Sequence, residues 1–149
     1  LKHVKALTGL AGRWDVIAEQ PTIILDVAHN EDGLKQLLEQ LALVKPATSR
    51  LHMIIGMVKD KDVNKALIIL PKDATYYFSN AHTDRAMPHE VLKEKAAGLN
   101  LSGNSYDDVN TAISAAISAA AASDTIIVCG SVFLIAEVDT ALFSSLPGI

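Results

Sequence analysis

The sequence predicts an α/β fold, an open and largely parallel sheet with helices on both faces. Two observations carry the prediction. Short apolar runs alternate with stretches of helical periodicity almost throughout the chain. That alternation implies crossover connections, which lay helices over both faces of a parallel sheet. Size and composition agree: 149 residues, 50% hydrophobic and 20% charged, suit one domain with a core of its own. No internal repeat and no low-complexity linker divides the chain.

Taken in order, Leu1 to Gly12 is a turn-rich approach, and Trp14 to Ala18 reads as a short strand closed by Gln20-Pro21. The stretch Thr22 to Leu38 organises the rest. Its apolar run Ile23-Ile24-Leu25 ends on Asp26, and Asn30 then stands where an N-cap belongs, with Glu31 and Asp32 at the positive end of the helix dipole. Leu34, Leu37, Leu38 and Leu41 recur at the spacing of one buried helix face. Leu51 to Val58 is a buried strand, followed by the charged loop Lys59-Asp60-Lys61-Asp62. Asp62 caps a helix carrying Val63, Ala66, Leu67 and Leu70, and Ala74 to Phe78 is an aromatic-rich strand.

Pro88 fits a first helical position, with Val91, Leu92 and Ala96 as the buried side and Gly98 as the stop. Leu101 to Ser105 is a weak edge strand. Asp107 and Asp108 open an Ala-rich helix with Val109, Ile113, Ile117 and Ala120 on one face. Thr125 to Cys129 is a strand, and Gly130-Ser131 leads into a final helix. The sum is a three-layer, Rossmann-like open sheet.

Several function classes are disfavoured. The net charge is −4 and no basic cluster offsets it, which argues against a nucleic-acid surface. No apolar stretch is long enough to span a membrane, and Leu1 to Lys5 lack a secretory apolar core. The single cysteine, Cys129, excludes an intrachain disulfide and fits a reducing, cytoplasmic compartment. No His/Cys cluster has zinc-ligand spacing. None of the eight glycines is followed by Lys, so a phosphate-binding P-loop is missing. If the domain works with ATP, another domain must cradle the triphosphate. The chain also begins without Met, as an excised fragment would.

The residues able to carry chemistry sit where an open α/β sheet places ligands, beyond the carboxyl ends of strands. Asp26 could accept from ribose hydroxyls or hold a cation; equally, it could cap the next turn. His29 could contact an anionic ligand at the helix start, or be a structural loop residue. Arg13 presents a planar fork of donors suited to phosphate oxygens, with a surface ion pair as the alternative. Gly130 allows close backbone approach and Ser131 could face an anion, or simply cap its helix. The Lys59 to Asp62 run reads as a solvated loop. Arg85 either faces the same cleft or is surface charge. Cys129, inside an apolar strand, reads as a small buried hydrophobe.

Four segments, in order and spacing, resemble a known family. They are Gly12-Arg13-Trp14, Asp26-Val27-Ala28-His29-Asn30, Gly56-Met57-Val58-Lys59-Asp60-Lys61-Asp62 and Gly130-Ser131-Val132-Phe133-Leu134-Ile135-Ala136-Glu137. Together they resemble the C-terminal domain of the folylpolyglutamate synthase/dihydrofolate synthase family, within the Mur ligase superfamily. Two positions depart from it: Val27 where the family usually has Gly, and Glu31 where Pro usually follows the Asn. Both leave Asp26, His29 and Asn30 in place.

The resemblance implies a Mur ligase C-terminal fold over residues 1–149, as one domain of a larger ligase whose N-terminal P-loop ATPase domain is not in this chain. It implies ATP and Mg2+ as cofactors, both held mainly by that missing domain. L-glutamate and a folate or dihydropteroate would be the substrates, joined through an acyl phosphate. By the same resemblance Arg13 contacts ATP phosphate, Asp26 contacts the ribose, and His29 and Ser131 lie on the glutamate side. Two other readings stay open: a Mur-type ligase acting on a cell-wall precursor, and a non-catalytic nucleotide-binding or interaction module. The Asp-Lys-Asp loop and Gly-Ser-Val-Phe-Leu fit the folate branch better than the cell-wall branch.

Overall fold

A computed structural model of the chain describes residues 12–46, 49–60 and 62–148. The approach Leu1 to Ala11 and Lys61 of the charged loop lie outside the described residues. Six strands form one sheet: β1 (Asp15–Glu19), β2 (Thr22–Leu25), β3 (Leu51–Ile55), β4 (Thr75–Phe78), β5 (Gly103–Ser105) and β6 (Thr125–Cys129). Their spatial order is β1-β2-β6-β3-β4-β5. Only β1 runs antiparallel; every other pairing is parallel. Five α-helices follow the strands: α1 (Glu31–Val44), α2 (Val63–Ile68), α3 (His89–Ala97), α4 (Val109–Ala119) and α5 (Val132–Ala136). A 3-10 turn, Thr140–Phe143, comes last. The α/β class and the helices on both faces are those the sequence predicts.

Central strands β3 and β6 are buried along their whole length, because each has neighbours on both edges and helices on both faces. One core layer joins Leu34, Leu37 and Leu41 of α1, Leu67 of α2 and Leu92 of α3 to Ile24, Met53 and Ile127 of the sheet. The other joins Val109, Ile113 and Ala116 of α4 and Leu134 of α5 to Ile23, Ile54 and Ile126. Neighbouring residues on one strand, such as Ile23 and Ile24, therefore serve opposite layers, as the strand period of two requires. Burying a Leu or Ile side chain of this kind contributes roughly 1.5–3 kcal/mol.

The topology also creates the place where a candidate site gathers. Strand β6 lies between β2 and β3, with Val128 beside both Leu25 and Ile54. The loops leaving β2 and β3 run to α1 and α2 on one face; the loop leaving β6 runs to α5 on the other. They part at the carboxyl end of β6, the kind of crevice where open α/β sheets bind ligands.

Local expectations hold in several places and fail in others. Asn30 caps α1, its Oδ1 accepting from Gly33 N at 2.8 Å. Asp108 caps α4 through Asn110 N. Leu38, placed on the buried face of α1, is only half-buried. Trp14 stands outside β1, with φ at 49°. Strand β3 stops at Ile55, although Gly56 N still donates to Cys129 O in register with β6, and Val58 makes only an isolated bridge with Ala86. Asp62 stands at the N-cap of α2 without a side-chain cap bond; its carboxylate lies 3.8 Å from Lys65 Nζ instead. Pro88 is the N-cap residue of α3 rather than its first helical residue. Val91 is 42% exposed, because α3 covers only the narrow β4–β5 edge and Leu92 and Ala96 suffice for it. On α4, Ala112 and Ala116 join Val109 and Ile113 in the buried stripe, while Ile117 and Ala120 are half-buried. Small side chains let α4 lie close across β3, β4 and β6.

Candidate functional site

Asp26 directly follows β2 and is buried. Its Oδ1 accepts from Ala28 N at 2.8 Å and its Oδ2 accepts from Trp14 N at 3.0 Å. Val27 N donates to Gly12 O at 2.6 Å. The turn-capping alternative is thus realised, and the same carboxylate also grips the Gly12–Trp14 segment. That segment needs gripping. Gly12 has φ at 89° and Trp14 at 49°, so the residues flanking Arg13 are both left-handed. For a bulky aromatic residue such a conformation costs about 1–3 kcal/mol and persists only where surroundings impose it. Hydrogen bonds to a charged group contribute about 1.5–3 kcal/mol each, enough to offset it.

Arg13 itself is exposed. Among the described residues no carboxylate lies within ion-pair distance of its guanidinium. The surface ion pair is therefore not what occupies it there. Since β1 runs antiparallel to β2, with Asp15 beside Leu25, Arg13 emerges at the carboxyl end of the sheet.

The β6 loop is drawn to the β2 loop by Gly130 N, which donates to Ala28 O at 2.7 Å. Gly130 has φ at 111°, and a Cβ there would run into the Gly56 carbonyl oxygen. Glycine is needed for both reasons. Ser131 follows, buried, with Oγ accepting from Phe133 N at 3.1 Å as the cap of α5. Its plain capping role is realised. Among the described residues nothing accepts its O–H, which leaves one donor over.

His29 is exposed and its Nδ1–H reaches Val27 O at 3.3 Å. It lines a cleft of about 370 Å3 between the starts of α1 and α2, facing Asp32, Met57, Asp60, Asp62 and Lys65. Arg13, Asp26 and Ser131 do not line that cleft. Backbone bonds bring Asp26, the Arg13 turn and the Ser131 loop together, whereas His29 points toward α2. Lys59 lines a neighbouring cleft of about 540 Å3 with Asn80, Thr83, His89 and Asp107.

Arg85 does not face the α1–α2 cleft; its guanidinium stacks 5.5 Å from the centroid of the Phe133 ring. Beside it, His82 N and Nδ1 donate to the two oxygens of Glu137 at 2.7 and 2.9 Å. That carboxylate holds the His82 imidazole above its ordinary pKa. Lys59 N donates to Arg85 O and Met87 N to Met57 O, both at 2.8 Å. Residues 80–88 thus tie the β3 loop on one face to α5 on the other. Nothing in the sequence signals the His82–Glu137 pair, whose partners lie 55 residues apart.

At the opposite, amino end of the sheet, His52 is buried between Asp124 and Tyr77. Its Nε2–H donates to Asp124 Oδ2 at 3.0 Å, and its Nδ1 lies 2.9 Å from the Tyr77 hydroxyl. Asp124 also accepts from Ala121 N and Arg50 N. Burial pushes its pKa up, but these bonds outweigh burial and hold it below the ordinary value. The Cys129 thiol is pushed far up, first by burial and then by the Asp26 charge, so it stays neutral and is no nucleophile. Among the described residues no group of three His, Cys, Asp or Glu side chains is arranged to hold a metal. No helix among them is long and apolar enough to cross a membrane.

Fold and site define an open α/β domain whose candidate groups gather at the carboxyl end of its sheet. The family model for the Mur ligase glutamate ligase domain matches residues 12–132, and the chain belongs to that family. It is 34% identical over 130 residues to the dihydrofolate synthase/folylpolyglutamate synthase of Escherichia coli K12, covering 87% of this chain and 30% of that protein. It is 27% identical over 137 residues to a UDP-N-acetylmuramoyl-L-alanyl-D-glutamate–2,6-diaminopimelate ligase of Lactiplantibacillus plantarum, covering 87% and 27%. Its backbone resembles the crystal structure of the Yersinia pestis bifunctional folylpolyglutamate synthase/dihydrofolate synthase complexed with AMPPNP and Mn ion. The TM-score is 0.77 at 33% identity, over 90% of this chain and 32% of that one. The chain thus spans about a third of the length of the proteins it matches.

Proposed function

We propose that this chain is the C-terminal domain of an ATP-dependent amide ligase that joins L-glutamate to dihydropteroate or a folate. The observation that carries the reading is the match of residues 12–132 to a glutamate ligase domain, with greater identity to the folate enzymes than to the cell-wall ligase. The bond-forming sequence is a carboxylate attacking the γ-phosphorus of ATP, with ADP leaving. The amine of glutamate then attacks the acyl carbon, phosphate leaves, and the amide nitrogen loses a proton. Family resemblance puts Arg13 and Asp26 on the nucleotide side and His29 and Ser131 on the glutamate side. Arg13, with no carboxylate at ion-pair distance among the described residues, and the Ser131 O–H, with no acceptor among them, suit those partners chemically.

The described residues offer no metal-ligand cluster, and no glycine precedes a lysine as a P-loop requires. By the family resemblance, Mg2+ and most of the triphosphate are held by a preceding ATPase domain of the parent protein, which works in the cytoplasm. What this chain supplies is a fixed cation and oriented donors where charge develops on the transferring phosphoryl group. The test is glutamate incorporation by the purified chain and by the full-length parent, each with ATP, magnesium and dihydropteroate or folate. Turnover is expected from the parent alone. Turnover by the isolated chain would overturn the division of labour, and a parent that uses diaminopimelate would establish the cell-wall reading that the Lactiplantibacillus likeness favours. A folded parent that binds ATP but ligates nothing would leave a non-catalytic module.

A further inference from the structure

We propose that His82 and Glu137 are positioning residues, a clasp that seats α5 and with it the Ser131 loop, so that the use of glutamate responds to pH. This deepens the reading above and rests on it. Helix α5 has five residues, too few to hold a helix by themselves. It is fastened at both ends instead. At its start Gly130 N donates to Ala28 O, and Ser131 Oγ accepts from Phe133 N. At its end His82 N and Nδ1 donate to the two carboxylate oxygens of Glu137 at 2.7 and 2.9 Å. Asn110 Nδ2, from α4, donates to the Glu137 carbonyl at 2.9 Å. Phe133, one helical turn before Glu137 and so on the same face, carries the Arg85 guanidinium. The segment 80–88 therefore grips α5 at two points along one face.

The other side of that segment is tied to the β3 loop by main-chain bonds, Lys59 N to Arg85 O and Met87 N to Met57 O, with Val58 bridging Ala86. Those bonds do not titrate; the clasp does. Two carboxylates face His82 from the packed elements, Glu137 at the end of α5 and Asp107 ahead of α4. On its own loop Asp84 is exposed and Arg85 turns to Phe133. The hydrogen bond to Glu137 is the main cause that holds the imidazole above its ordinary pKa, and Asp107 adds to it. With the ring protonated, the clasp is a charge-assisted pair. With the ring neutral, Nδ1–H still donates, but at about half the strength. Gaining the proton tightens the seat of α5, and losing it loosens that seat.

The experiment measures kcat and the KM values for glutamate and ATP in the full-length parent, from about pH 6 to about pH 8.5, either side of a raised histidine value. Wild type is compared with E137Q, H82N, S131A and S131A/E137Q, with melting curves for each. Ratios to wild type cancel the titration of the glutamate amine, which every variant shares. E137Q is expected to raise the glutamate KM about two- to fivefold near pH 6, the scale of an ion pair partly open to water, with the ATP KM unchanged. H82N keeps a donor near the place of Nδ1 but cannot gain a proton, so its ratio should also be raised near pH 6. Both ratios should fall toward unity as pH rises and wild-type His82 loses its proton. S131A/E137Q should match S131A within about twofold, as expected for groups acting as one unit. A ratio constant with pH, an ATP KM that rises with the glutamate KM, or effects of E137Q and S131A that multiply would overturn the clasp and leave the ligase reading standing. A wild-type parent that ligates no glutamate would overturn that reading, and this proposal with it. If E137Q does not fold, H82N and S131A/H82N carry the same comparison, since Asn keeps the main-chain bond to Glu137.

Discussion

The backbone N–H of Trp14 donates to Asp26 Oδ2 at 3.0 Å, so one carboxylate holds a left-handed aromatic residue against the end of β2. Its removal should be felt in stability. Asp26→Ala strands Trp14 N and Ala28 N, and a buried unsatisfied donor costs about 1–3 kcal/mol. We expect the isolated chain to melt cooperatively by circular dichroism, and Asp26→Ala, with two donors stranded, to melt about 4 °C lower or more, at roughly 2–4 °C per kcal/mol. A broad wild-type transition would show that the chain is not an autonomous unit. An unchanged midpoint would show that water replaces the carboxylate without loss.

Gly130 is the other backbone fixture of the site. Gly130→Ala places a side chain at φ 111° and against Gly56 O. The conformation alone costs about 1–3 kcal/mol. Urea denaturation should show a lower midpoint with an unchanged slope, the sign of lost stability rather than a changed denatured state. A midpoint equal to wild type would mean that the β3 and β6 loops yield easily.

Ser131→Ala should act twice. Loss of the Phe133 N cap costs about 0.5–2 kcal/mol of stability. In the full-length parent, a hydroxyl on the glutamate side predicts a raised KM for glutamate with little change in that for ATP. A variant that melts lower but keeps its glutamate KM would make Ser131 a cap and nothing more.

The buried His52–Asp124–Tyr77 network should give the chain an acid-sensitive component. Asp124 is held below its ordinary pKa in the folded state. A depressed carboxylate contributes stability that is present above its unfolded value, about 3.9, and lost as pH falls through the lower folded one. Asp124→Asn should therefore be destabilised near pH 6, and the gap from wild type should narrow toward pH 2–3. Urea midpoints across that range are the measurement; a constant gap would show that hydrogen-bond geometry, not charge, sets the difference.

His82 runs the other way. Its pKa is raised by the Glu137 carboxylate, so its contribution is full below about 6.5 and fades as pH rises through the folded value. The pair is partly open to water, which screens it. A proton NMR titration of the His82 imidazole should show a midpoint above that of the free side chain, and Glu137→Gln should bring it back. Identical midpoints in both proteins would mean that the contact is not kept in solution.

What the sequence determined by itself lay within a few residues of chain, though not every local reading held: Asp62 makes no side-chain cap bond. Asn30 was legible as a cap, and Asp107-Asp108 as the opening of α4, because such side chains accept from an amide two or three residues on, as Asn30 and Asp108 do. The helix faces were legible from periodicity, and the parallel class from the alternation of strand and helix. The family was legible from four short segments kept in order. Tertiary structure alone decided that β6 enters between β2 and β3, and with it where the loops part. It also decided that Val91 stays exposed, that His82 meets Glu137, and that Arg85 lies on Phe133. Asp26 shows the division most clearly. Its place at the end of a strand was readable, and a cap on the next turn was one of two readings left open; the bond to Ala28 N is that cap. That its second oxygen reaches back to Trp14 was not readable. A carboxylate's nearest partner is set by local chain geometry, but its farther one is set by which strand the fold lays beside it.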